Sequence, residues 1–458
     1  MRQQHRSKRS SFSSRENAGA EDRPGLAARQ CAARLLGAVI EKRTSLDGLT
    51  DNGNGHPQYM ALEERDRSLV RAILGAALRN RGTIEAALAA MVDRPLPENA
   101  VGLRQLLHVA AAQILYLDVP DRAAVDLAVT ASNFDPRNRR FASMVNAVLR
   151  RLSREKEILV ANTSAPNVPQ WFERMLVDAY GADKAAAIIE IQRVEPPIDL
   201  TVKGDSEALA QRLGGMALPT GSVRLPVFQG SLTALDGFAE GEWWVQDTAA
   251  SLPARLFGDM EGKRIADLCA APGGKTAQLA YAGAHVTALD LSANRLKRLR
   301  SNLDRLGLSA DTVESNLLDY RPAELLDGVL LDAPCSSTGT VRRHPDVPWT
   351  KTADDVVKLA KLQAQLLDHA VTLVRPGGII VFSNCSLSPL EGEDVARNLL
   401  AANPAIEHVP VTAEEVGGLS ELITAEGFVR STPADLRHDD PAFSGMDGFF
   451  AARFRRKY

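Results

Sequence analysis

The sequence predicts an all-helical N-terminal domain followed by an α/β domain built on an open, mostly parallel sheet. Three observations predict it. Between Gly25 and about Glu155, apolar residues recur at helical spacing. From about residue 239 onward, short apolar runs alternate with longer amphipathic stretches, the mark of repeated strand–turn–helix units. The chain has 458 residues, more than one hydrophobic core organises, so several domains are expected.

Residues 1–24 are polar, rich in Arg and Ser and without an apolar block. They are expected to be a disordered, mildly basic tail, neither a signal peptide nor a helix. Residues 25–157 are expected to form the helical domain. "LAARQCAARLLGAVIEK" sets Leu26, Cys31, Leu35, Leu36 and Val39 on one stripe, with Pro24 just ahead as a start signal. "ERDRSLVRAILGAALRN", "GLRQLLHVAAAQILYLDV" and "FASMVNAVLRRLSRE" repeat that style. The Arg clusters of these helices fit either a solvated face or an RNA-facing surface, and composition does not choose. Residues 158–238 mix short helices ("WFERMLVDAYG", "EALAQRLGG") with a short strand ("PIDLTVKG"), which predicts a small α+β link. Residues 239–458 carry the α/β domain: "RIADLCAAPGG", "HVTALDL", "DGVLLDAP" and "GGIIVFSNC" are the strands and their exits. Ligands of such sheets bind at the carboxyl ends of the strands.

Composition excludes several classes. Formal net charge is −3, so any nucleic-acid contact has to come from local basic patches. Four widely spaced cysteines (Cys31, Cys269, Cys335, Cys385) form neither a disulfide framework nor a zinc motif, and no metal is expected. The longest apolar runs are far shorter than a membrane span, so no membrane association is expected. With no targeting signal, the expected location is the cytoplasm.

"DLCAAPGGKT" ends like a phosphate-binding P-loop, but the match fails twice. Cys269 occupies the first glycine position, and Pro272 removes a backbone N–H that a phosphate nest needs. Gly273 and Gly274 still let a ligand approach the backbone, and the helix N-terminus that follows favours a carboxylate. "TALD" ends the next strand on Asp290, where an acidic residue grips ribose hydroxyls in Rossmann-like nucleoside sites. The loop is therefore expected to hold S-adenosylmethionine, with the methionine carboxylate at the helix end and the ribose on Asp290.

Cys31 and Cys269 fit buried small hydrophobes. Cys335, in "LLDAPCSSTGTVRRHPD", and Cys385, in "FSNCSLSPLEGED", sit in polar loops just past two strands, where core residues are not expected. A thiolate beside a methyl donor has a chemical use. Carbon-5 of cytosine is a poor nucleophile until a thiolate adds to carbon-6 and turns the ring into an enamine. A carboxyl group near the ring's nitrogen-3 helps hold the charge that develops. Afterwards the carbon-5 proton and the enzyme thiol must both leave, so a second acid–base group is useful. Asp332, Cys335 and Cys385 supply these parts. The base has to leave its stack to reach them, so a flipped or single-stranded cytosine is expected.

With "DLCAAPGGKT", "ALDLS", "LLDAPCSSTGTVRRHPDVPW", "NCSL" followed by "EGED", and "MDGFFAARF", the sequence resembles the bacterial RNA 5-methylcytosine methyltransferases. The helical domain resembles the NusB-type RNA-binding domain, and "RRHPD" resembles the subfamily acting on 16S ribosomal RNA. The resemblance spans nearly everything after residue 25. It implies a Rossmann-like, S-adenosylmethionine-dependent methyltransferase domain behind a NusB-like domain, working as a monomer on naked or early-assembly 16S RNA. Cys385 would attack carbon-6, Cys335 would assist product release, and Asp332 would contact the base near the methyl donor. Cys269, Ala270, Ala271, Pro272, Gly273, Gly274 and Lys275 would wrap the methionine part, with Lys275 orienting Asp332. Asp290 would hold the ribose. Two departures stand out. Asn384 precedes Cys385 where Thr is usual, and Asn316 occupies the acidic adenine-contact position, with Asp319 the other candidate. Arg342, Arg343 and His344, beside the Cys335 loop, are the expected RNA contacts. Competing readings are the same chemistry on transfer RNA or another ribosomal site, and an RNA-binding assembly factor without catalysis.

Overall fold

The computed structural model describes residues 23–458 apart from 52, 93, 164, 228 and 229. The expected N-terminal tail lies almost wholly outside the described residues. The chain divides into two compact units: residues up to Pro169 with His344–Thr350, and Gln170–Arg343 with Lys351–Tyr458.

The first unit is helical. Its main helices are Leu26–Lys42, Glu64–Arg79, Arg81–Met91, Val101–Tyr116, Asp121–Phe134 and Ala142–Asn162. The predicted stripe of Leu26, Cys31, Leu35, Leu36 and Val39 is buried and meets Ile73, Leu74, Leu103, Leu107, Val145 and Leu149 in one core. Burying such side chains is worth about 1.5–3 kcal/mol each. The segment from 344 to 350 belongs to this unit. Its Asp346 accepts from the Leu46 N–H at 2.9 Å, and Trp349 packs on the core beneath the Arg81 guanidinium, 5.5 Å from the ring centre.

Of the α+β segment that the sequence places at 158–238, the part from residue 170 onward lies in the second unit. Residues 158–169 belong to the first, whose helix Ala142–Asn162 reaches into them. Helices Gln170–Tyr180 and Ala182–Ile191 precede a small antiparallel sheet of β1 (Ile198–Val202), β2 (Met216–Ala217), β3 (Val223–Leu225) and β4 (Trp243–Val245), in the order β2-β3-β1-β4. The larger sheet holds β5 (Arg264–Leu268), β6 (His285–Asp290), β7 (Asp311–Glu314), β8 (Leu326–Asp332), β9 (Val374–Asn384), β10 (Ile406–His408), β11 (Val429–Ser431) and β12 (Phe449–Arg456). Its order is β10-β12-β9-β8-β5-β6-β7, with β11 paired to β12. Strands β5 to β9 run parallel, as their near-continuous apolar runs predict, and β12 inserts antiparallel beside β9.

Local rules place the covering helices. Helix Ala293–Leu306 buries Leu296, Leu299, Leu303 and Leu306 and turns its Arg and Lys outward. Ser292 caps its first turn, and Gly307 ends it in the left-handed conformation at φ 61°. Helix Ala353–Thr372 opens with a reciprocal Thr352–Asp355 capping box.

Topology then fixes where a ligand can sit. The chain builds β6 and β7 on one side of β5, then crosses over to build β8 and β9 on the other. A crevice opens at such a reversal, outside the carboxyl ends of the strands. Register aligns those ends: Leu268 pairs with Leu289 and Leu331, and Asp332 with Ser383. No helix among the described residues is long and apolar enough to cross a membrane.

Candidate active site

The carboxyl ends of β5, β6, β8 and β9 bring together the expected catalytic residues, the loop from Cys269 to Lys275 and Asp290. At the end of β5, Asp267 is wholly buried. One carboxylate oxygen accepts from the Thr276 hydroxyl at 2.6 Å, and the other has no hydrogen-bond partner. Burial pushes its pKa up to about 7. The loop that follows turns through Cys269 at φ 66° and Gly273 at φ 105°. A Cβ on Gly273 would come within 2.8 Å of the Leu299 side chain, so only glycine fits there. Burial, with Asp332, Asp290 and Asp267 nearby, pushes the Cys269 thiol up to about 12, which leaves it inert as a nucleophile.

Asp290, at the end of β6, anchors the loop from the side. Its carboxylate accepts from the backbone N–H groups of Ala271 (3.2 Å) and Ser292 (3.0 Å) and pairs with Arg295 at 3.3 Å. A carboxylate offers about four acceptor sites, so capacity for one further donor remains. Asn316 is exposed beyond β7, where its side-chain oxygen accepts from the Leu318 N–H at 3.2 Å; Asp319 is exposed three residues on.

At the end of β8 the Lys275 ammonium lies 2.8 Å from Asp332, and Ser383 on β9 donates to the other Asp332 oxygen at 3.1 Å. Lys275 also sits 4.8 Å from the ring centre of Phe449, which β12 delivers. The β8 and β9 exits then run side by side, bringing the two thiols together: Cys335 Sγ and Cys385 Sγ are 3.4 Å apart. The Gly339 N–H donates to the Cys385 carbonyl at 2.9 Å, and the Gly448 N–H to the Gly339 carbonyl at 2.8 Å. A Cβ on Gly339 would fall 2.0 Å from the Gly448 oxygen, so this close approach requires glycine.

The thiols are not equivalent. Their mutual hydrogen bond holds Cys385 below the usual thiol range, aided by the Ser337 hydroxyl and the Lys275 ammonium, against burial and the nearby Asp332. The same bond and burial push Cys335 well above that range, with Glu391 adding to the rise. Cys385 is thus the more readily ionised of the pair. Two non-glycine residues with positive φ, Cys269 and Ser337 (φ 58°), flank the site, as strained backbone often does around chemistry.

One group of expected site residues lies elsewhere. Arg342 is buried, paired with Asp247 and Asp447 at 3.5 Å each, and it donates to the Ser444 carbonyl at 3.1 Å. Arg343 pairs with the same two acids at 2.6 and 3.2 Å. His344 Nδ1 sits 3.1 Å from Asp47 within the helical unit. The expectation that Arg342 and Arg343 reach for RNA is therefore corrected: their charges are taken up by buried carboxylates, and the neighbouring cysteine loop gave no hint of that. Sequence reasoning also missed Ser383, Phe449, Glu391 and Gln363. Of these, Glu391 in "EGED" and Phe449 in "MDGFF" were signalled, as unassigned parts of motifs, and nothing singled out Ser383 or Gln363. No cluster among the described residues could hold a metal ion.

Two family profiles match: "16S rRNA methyltransferase RsmB/F" over residues 255–455 and the NusB family over residues 26–154. Curated relatives include ribosomal RNA small subunit methyltransferase B of Xylella fastidiosa (37% identical, covering 92% of this chain and 98% of that protein). The Pseudomonas putida protein of the same name is 34% identical, covering 93% and 97%. Among solved structures, PH0851 aligns over 94% of this chain and 99% of its own at TM-score 0.67 and 21% identity. NSun6 from Pyrococcus horikoshii, solved with SFG, aligns over 63% and 98% at TM-score 0.53 and 19% identity.

Proposed function

From the premise that this chain belongs to the RsmB/F family of 16S rRNA methyltransferases, we propose that it methylates carbon-5 of a cytosine in 16S ribosomal RNA through a covalent Cys385–cytosine adduct. The observation that carries this reading is the pair of thiols 3.4 Å apart at the ends of adjacent strands, beside the Lys275–Asp332 ion pair. A methyltransferase acting on an exocyclic amine or a ribose hydroxyl has no use for two such sulfurs.

The residues present fit S-adenosylmethionine. Asp267 leaves one buried carboxylate oxygen without a partner, an acceptor suited to a ligand ammonium, at the foot of the glycine-bearing loop. Cys269 to Lys275 would hold the methionine part, Asp290 the ribose through its remaining acceptor capacity, and Asn316 the adenine side. When bound, the cofactor supplies an electrophilic methyl group on sulfur. Everything else falls to this chain. The Cys385 thiolate adds to carbon-6 of a flipped cytosine, and the electron pair moves toward carbon-5 and nitrogen-3. Asp332, fixed by Lys275 and Ser383, would face the ring, and a proton held between its carboxyl group and nitrogen-3 would offset the negative charge that builds on that side. Once carbon-5 carries its new substituent, its proton leaves, the carbon-6 to sulfur bond breaks, and Cys385 departs as thiolate. Cys335 takes up the carbon-5 proton in that release, having given its own to solvent while Cys385 was bonded to the ring.

The test is transfer of labelled methyl from S-adenosylmethionine to unmodified 16S RNA and to transfer RNA, followed by nucleoside analysis. The expected product is 5-methylcytidine from 16S RNA. Label on transfer RNA alone would overturn the substrate, and label on any other base atom would overturn the chemistry.

A further inference from the structure

One buried acid outside the machinery just described touches both cysteine loops. Glu391 has no solvent exposure, yet four donors converge on its carboxylate. On one oxygen these are the Ser336 N–H at 2.8 Å and the Gln363 side-chain amide at 3.1 Å. On the other they are the hydroxyls of Ser336 and Ser386. Ser336 follows Cys335 and Ser386 follows Cys385, so a single side chain straps the two loops together. Thr338 completes the strap by accepting from the Leu387 N–H at 2.9 Å. An acceptor-only group surrounded by four donors is suited to the ionised form, even though burial raises its pKa. Its charge is placed unevenly. Two of its donors, the N–H and hydroxyl of Ser336, stand next to Cys335 and one, the Ser386 hydroxyl, next to Cys385. Its charge therefore lies closer to the Cys335 loop and adds to the rise of that thiol, while the Lys275 ammonium favours ionised Cys385.

Resting on the two-thiol reading above, we propose that Glu391 is a positioning residue that holds the two cysteine loops in register and, by its charge, confines the shared proton to Cys335, so that the nucleophile is always Cys385. Without such asymmetry either sulfur of a pair this close could ionise, and half the pair's reactivity would sit on the wrong loop. The bonding pattern also separates the two parts of the role. In Glu391→Gln the amide oxygen can keep the Ser336 N–H and Gln363 donors, while the two serine hydroxyls rotate to accept from the new NH2 group. The strap survives and the charge goes.

The experiment is site-resolved alkylation by iodoacetamide, read by peptide mass spectrometry across pH on the full-length protein without RNA. In the wild type, label enters Cys385 first. In Glu391→Gln, the share on Cys335 is expected to rise on the order of tenfold, the effect of losing roughly one pKa unit of charge–charge interaction. Glu391→Asp draws the charge back by one methylene and is expected to shift the share less, in the same direction. It serves in its own right if the Gln variant does not fold. Label that stays on Cys385 in both variants overturns the proposal. Methyl transfer is read separately. A wild type that transfers nothing to 16S RNA, while Glu391→Gln still redistributes the label, refutes the proposed substrate and leaves the role of Glu391 standing.

Discussion

Two buried groups of ionisable side chains sit in the α/β unit, and they differ in how fully they are paired. Around Asp247 every carboxylate faces an arginine, although one Asp447 oxygen has only a 3.5 Å ion pair to Arg342 and no hydrogen bond. Asp199, Asp247 and Asp447 face Arg224, Arg342 and Arg343, and the Arg224–Asp199 pair is bidentate at 2.7 and 2.8 Å with both side chains fully buried. Burial alone would raise Asp247, but Arg343 and Arg342 overcome it and hold the pKa at about 2. At the strand ends the pairing is deliberately short. Asp267 keeps an oxygen without a partner, the Lys275–Asp332 pair stays partly open, and two thiols meet at 3.4 Å. Charges matched by buried opposite charges hold a fold, because each is neutralised where it stands. Open pairing leaves acceptors and an easily ionised thiol available to a ligand.

The sharpest way to break this contrast is at the closed cluster. Arg224→Met leaves Asp199 buried and uncompensated, which is expected to cost about 3–5 kcal/mol of stability. The double change to Met and Asn should recover much of that loss in denaturant titrations. An equal loss from Lys275→Met would erase the distinction. Lys275→Met is instead expected to keep its melting temperature near that of the wild type and to lose roughly 10²–10³-fold in methyl transfer, because Asp332 loses its pin and its countercharge. A smaller, pH-dependent effect comes from Asp267. The folded protein keeps this proton up to about pH 7, while the unfolded chain releases it near pH 4. The folded state therefore binds the extra proton between those values, and stability falls as pH rises through that window, by at most about 1.4 kcal/mol per pH unit. Thermal midpoints from pH 4 to 7 should show this slope in the wild type and a flatter one in Asp267→Asn.

The same contrast explains what was legible in the sequence. Helix stripes such as Leu35, Leu36 and Val39, the parallel strands and the loop from Cys269 to Lys275 are local patterns, and they read directly. The juxtaposition of Cys335 and Cys385 was inferable because both end strands of one sheet. Arg342 and Arg343 misled because their partners, Asp247 and Asp447, lie about a hundred residues away on either side, and periodicity says nothing about such pairings. Ser383 and Glu391 were hidden for a related reason. Each acts through a bond to a neighbouring loop, and neither carries a composition that announces it. The antiparallel insertion of β12, which brings Phe449 over Lys275, is a tertiary choice that the "MDGFF" motif only marks.

The division of labour between the thiols is decided by incubating wild type, Cys385→Ala and Cys335→Ala with unmodified 16S RNA and methyl-labelled S-adenosylmethionine, scoring label and covalent protein–RNA adduct separately. Cys385→Ala is expected to give neither. Cys335→Ala is expected to accumulate adduct, because attack proceeds and release stalls. Methyl transfer by Cys385→Ala, or adduct formation in that variant, would contradict the assignment of the nucleophile.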